Sequence, residues 1–145
     1  MAALRLPSFF IGPKACDLFV RISLGINIGV LIAVCTVLIG FSTSDLVIYG
    51  WGPPTAARGI LLSIYMSILV VSIVLLALYT RSNKSSRATV ENMIAALLAT
   101  QILYKITTPA TAGADNPVAI CNLCVSVLHA LTLYLLWVHT LKLKI

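Results

Sequence analysis

Hydrophobic positions fall into four long runs, at residues 22–41, 59–79, 89–106 and 118–141, separated by short breaks that carry the prolines, polar side chains and charges. A helix of about 20 apolar residues spans the hydrocarbon core of a bilayer. The pattern therefore predicts an all-α polytopic membrane protein, a bundle of four transmembrane helices in a single domain covering residues 1–145.

The runs are not alike. Residues 86–109 hold the one apolar stretch with charged and amide side chains set inside it: Glu91, Asn92, Gln101 and Lys105. At 100° per residue, Glu91, Leu98, Gln101 and Lys105 fall within about 80° of one another, a polar stripe on an apolar helix. Such a stripe is costly in lipid and should face partner helices or a cavity. Glu91 and Lys105 lie near opposite ends of the span, close enough to a surface to snorkel. They are about 21 Å apart along the helix and cannot act on one atom. Gln101 lies deeper.

In the first run Gly25, Gly29, Ala33, Thr36 and Gly40 share one face, and Gly25 with Gly29 forms G-x-x-x-G. Gly59, Ser63 and Ser67 repeat the pattern in the second. Small residues let helix backbones approach closely, so these faces are expected helix-packing seams, within the bundle or against another chain. The hydroxyls of Ser63 and Ser67 can bond the carbonyl four residues back, an ordinary structural use. Asn27 points away from the first seam and needs its own partner. In the fourth run Asn122, Ser126, His129 and Thr132 cluster on one face, within about 120°.

Composition agrees with this reading: 60% of residues are hydrophobic and only 10% charged. Mean hydropathy is +1.05. The net charge of +6 reflects topology rather than nucleic acid, because no basic face or binding motif accompanies it. Arg5, Lys14 and Arg21, then Arg81, Lys84 and Arg87, then Lys142 and Lys144 occupy alternate breaks, while the other two breaks hold only Arg58. The positive-inside rule puts both termini on the cytosolic face. The sequon at Asn83 then lies on the wrong side for glycosylation. Residues 1–21, with Pro7 and Pro13, are apolar enough to lie at the interface, and the run at 22–41 is expected as a retained first span. Residues 42–58 and 107–117 are expected as loops, the first breaking at Gly52-Pro53-Pro54.

No catalytic motif emerges, and no motif points to a particular cofactor. Cys121 and Cys124 form C-x-x-C without a βαβ context or further ligands, so no metal site is expected, and they read as small apolar residues on a helix. His129 is the one titratable side chain expected deep in the bilayer. A neutral imidazole there would bind a quinone or sterol oxygen, shuttle a proton, ligate a metal, or simply hydrogen-bond to Gln101. His129, Lys105 and Gln101 are the candidate catalytic residues. A pocket between spans three and four would be lined by Gln101, Lys105, Asn122, Ser126 and His129.

The layout resembles the small four-span DoxX-like membrane proteins. The resemblance rests on Gly25 and Gly29, on Arg58-Gly59 opening the second span, and on Lys105 followed by Thr107-Thr108-Pro109. It implies an accessory subunit of a membrane oxidoreductase or a protein that tailors lipophilic metabolites. Relatives often carry an acid in span four, in the general region of His129 here. Three function classes follow: an accessory or assembly subunit meeting other membrane subunits or itself, an enzyme or binder for a lipophilic metabolite, and an oligomeric channel. The lipid bilayer is a partner in all three.

Overall fold

The computed structural model describes residues 12–142. The chain runs through α1 (Pro13–Gly40), α2 (Asp45–Trp51), α3 (Ala56–Arg81), α4 (Lys84–Ala112) and α5 (Pro117–Lys142), with no strand among the described residues. Four helices, all but α2, are long and apolar enough to cross a membrane. The protein is an integral, multi-pass membrane protein. Around the bundle the neighbours run α1, α3, α4, α5 and back to α1, so each long helix lies antiparallel to both neighbours. The start of α1, the end of α5 and the α3–α4 junction share one end of the bundle, the terminal end. The short helix α2 caps the other.

Three boundaries differ from expectation. Helix α1 begins at Pro13, not at residue 22, because a proline at the first helical position gives up only a donor that has no partner there anyway. Residues 13–21 of the expected interfacial segment are therefore helical, and residues 1–11 lie outside the described residues. Helix α4 continues through Pro109 to Ala112, shortening the expected 107–117 loop to four residues. The hydroxyls of Thr107 and Thr108 bond back to carbonyls of the preceding turn. Finally, the 42–58 break contains helix α2, capped by Ser44, whose hydroxyl accepts from Val47 N, and stopped at Gly52.

The core has three layers. Val20, Leu24, Leu75, Ile94 and Leu98 form an apolar cluster toward the terminal end. Leu31, Cys35, Leu38, Val47, Tyr65 and Leu69 form another toward α2. Between them lies a buried polar layer. Asn27 donates to Ser72 Oγ at 2.9 Å, and Ser23 Oγ meets His129 Nδ1 at 2.7 Å. Such bonds replace water that hydrocarbon does not offer. The outer faces are apolar, with Ile39, Leu103 and Val127 all more than 60% exposed to lipid.

At the terminal end the guanidinium of Arg87 ties three helices. It bonds Asp17 of α1 at 2.6 Å, Glu91 of α4 at 3.1 Å and the Tyr79 carbonyl of α3 at 3.0 Å, and stacks on the Tyr79 ring. Helix α1 has 28 residues, about 42 Å at 1.5 Å per residue, and so outreaches the hydrocarbon core. The charges sit in that excess.

Candidate functional site

The site is built beneath α2, and an arginine holds that roof in place. Arg58, in the first turn of α3, is buried and donates to Gly52 O at 2.8 Å and Ser42 O at 2.5 Å. These carbonyls lie at the C-terminal ends of α2 and α1, where partial negative charge favours a cation. From the opposite side Asn116 donates to Gly50 O at 3.2 Å and accepts from Val118 N at 2.8 Å. Gly50 lets α2 rest on α5, since a Cβ there would meet Val118 Cγ2 at 3.2 Å.

Under the roof is a cavity of about 210 Å³. Val30, Leu31 and Val34 of α1 form one wall, and Pro117, Val118, Cys121 and Asn122 of α5 form another. Leu46, Gly50 and Trp51 close it above, with Tyr65, Tyr104 and Lys105 at its inner side. A wider chamber of about 530 Å³ lies on the α3–α4 side, with Thr107, Thr108 and Thr111 along it. Gly50, Trp51, Tyr65, Tyr104 and Val118 line both spaces, so the two adjoin along Trp51, Tyr65 and Tyr104. Together the two reach the size of ordinary small-molecule sites, and the first is mostly apolar with a few polar groups, as such sites are.

Those polar groups are specific. Lys105 is only 3% exposed; its ammonium donates to Gln101 Oε1 at 3.1 Å and to the Tyr104 hydroxyl, and lies 4.4 Å from that ring's centre. Asn122 donates to Thr108 Oγ1 at 3.1 Å, bridging α5 to α4.

The expected polar stripe does face inward: Leu98, Gln101 and Lys105 are buried, and Glu91 pairs with Arg87. The residues expected to line one pocket are divided. Lys105 and Asn122 reach the cavity. Gln101, Ser126 and His129 do not line it. Gln101 serves Lys105, Ser126 bonds the Leu123 carbonyl, and His129, fully buried, bonds Ser23 rather than Gln101. The Nε2 atoms of both Gln101 and His129 are buried without a hydrogen-bond partner.

The small-residue seams point outward. Ala33 and Thr36 are exposed, and a Cβ added at Gly25, Gly29, Gly40 or Gly59 would meet nothing within 4 Å, so these positions bring no helices together among the described residues. Ser63 and Ser67 donate to the carbonyls of Gly59 and Ser63. Cys121 and Cys124 are exposed and unpaired with each other. Among the described residues no cluster of His, Cys, Asp and Glu is arranged to hold a metal ion. Comparison with family models, curated proteins and solved structures returns no match.

Proposed function

We propose that this membrane protein holds a lipophilic small molecule in the cavity beneath α2, with Lys105 and Asn122 orienting its polar end. The observation that carries the reading is the cavity itself: an apolar space between α1 and α5, open at one side, roofed by a helix that Arg58 and Asn116 fix in place, with Trp51, Tyr65 and Tyr104 along it. Packed interiors close most voids larger than a water molecule. The four-span plan keeps a DoxX-like relationship as the proposed family and lipophile handling as the proposed class of work. The basic terminal end faces the cytosol in this proposal, by the positive-inside rule, which puts the cavity in the opposite leaflet.

Photolabelling in membranes with a diazirine-bearing alkane tests the reading. Label is expected on Leu31 and Tyr65, which line the cavity and are only 3% and 8% exposed. Filling the space with Val34→Trp should abolish that label. Label confined to outward residues overturns the proposal.

A second reading, an accessory subunit of a larger membrane complex, is favoured by the outward small-residue faces of α1 and α3. Under it, Gly25→Leu and Gly29→Leu release the protein from its partners without disturbing the bundle. Unchanged association counts against that interface.

A further inference from the structure

We infer that the occupant of the cavity is a single-chain amphiphile with a carboxylate head, seated against the ammonium of Lys105. This rests on the cavity reading above and narrows it to a chemical class.

The whole chain has four acids: Asp17, Asp45, Glu91 and Asp115. Asp17 and Glu91 form ion pairs with Arg87 at the terminal end. No ion pair joins Lys105 to Asp45 or Asp115 among the described residues, so this buried cation has no carboxylate of its own. Gln101 and Tyr104 accept two of the three ammonium hydrogens but bring no negative charge. A charge held in low dielectric is costly unless it is paired. The neighbouring polar groups are all able to donate. Tyr104, accepting from Lys105, keeps its own hydroxyl hydrogen, and Asn122 has a second amide hydrogen beyond the one given to Thr108. An ammonium, a phenol and an amide around one space make a site for an anion.

Size and depth choose among anions. Lys105 lies seven residues before the end of α4 at Ala112, roughly 10 Å along the axis. At that position, below the rim of the bundle, a lone carboxylate on one acyl chain is a smaller head to seat than a phosphodiester carrying two chains. A space of about 210 Å³ holds the head and only a few carbons. The remaining chain leaves past Leu46 and Cys121, both exposed, toward the lipid between α1 and α5.

Trp51 in the cavity wall supplies the reporter, and Trp137→Phe makes it the sole tryptophan. This protein, in phosphatidylcholine nanodiscs, is titrated with brominated dodecanoate and with the matching brominated dodecanol. Saturable Trp51 quenching, reversed by the unbrominated compound, measures occupancy. The acid should bind about tenfold or more tighter than the alcohol, and Lys105→Met should remove that preference while leaving the alcohol's affinity. Equal binding of acid and alcohol in the unsubstituted site overturns the carboxylate inference and leaves the cavity reading standing. Saturable quenching only in discs of brominated phosphatidylglycerol assigns the site to a phospholipid and overturns the single-chain claim. No saturable quenching by any probe overturns the inference and the cavity reading together.

Discussion

Replacing Arg58 with Met should unlatch α2 without unfolding the bundle. The guanidinium donates to two carbonyls, Gly52 O and Ser42 O. A hydrogen bond with a charged partner contributes about 1.5–3 kcal/mol net. Water at the membrane edge can take over part of the lost bonding, so the lower figure applies, about 3 kcal/mol for the pair. The Asn116 tether to Gly50 remains, and so does the contact of Gly50 with Val118. The roof therefore loosens instead of leaving. About 3 kcal/mol corresponds to roughly a hundredfold rise in local opening, at 1.4 kcal/mol per factor of ten. Hydrogen–deuterium exchange in nanodiscs reads this directly: peptides over residues 45–52 should exchange about a hundredfold faster, with the four spans unchanged. Exchange of α2 within about threefold of the parent protein refutes the latch, because the two bonds would then contribute well under 1 kcal/mol.

The polar layer and the turn invite further tests. His129→Ala should lower the thermal midpoint by removing the Ser23 bond, a loss of about 1–3 kcal/mol, while cavity photolabelling stays intact. Lost labelling at an unchanged midpoint would move His129 into the binding site. In a double-mutant cycle, Asn27→Ala and Ser72→Ala should couple by about 0.6 kcal/mol, up to about 1.7, when unfolding is followed in mixed micelles. Strict additivity would deny the pair. Gly52 has φ 79° and ψ 178°, a conformation close to glycine-only, so Gly52→Ala should destabilise the α2 turn by about 1–3 kcal/mol, visible as faster exchange there but not in α5. Unchanged exchange would show that the turn tolerates a side chain.

The spans were readable from hydropathy because a bilayer imposes length and apolarity on every crossing helix. The inward face of α4 was readable at Gln101, which has nowhere affordable to point except the interior, whereas Lys105 lies near enough to the span's end to snorkel and is instead buried. The small-residue rule was less informative about direction. It marks faces that permit close approach, but in α1 the side opposite the glycines, with Ser23, Leu24, Asn27 and Leu31, carries the core. Helix α2 left a signal in Ser44-Asp45 and Gly52, an N-cap and a stop, which reading the whole stretch as a loop breaking at Gly52-Pro53-Pro54 obscures. Tyr65 and Tyr104 could have been flagged as phenols inside apolar runs. Their meeting with Trp51 across three helices is a tertiary fact that no local pattern contains. The same holds for His129, whose partner Ser23 lies 106 positions away in sequence.

The most direct measurement is to purify the protein gently from its native membrane, extract it with organic solvent and weigh what comes out, beside the Val34→Trp protein handled identically. A site beneath α2 predicts a lipophilic molecule in near one-to-one amount with the parent chain and its absence from the filled variant. Equal amounts of the same lipids from both would contradict it and leave the outward faces of α1 and α3 as the place to look.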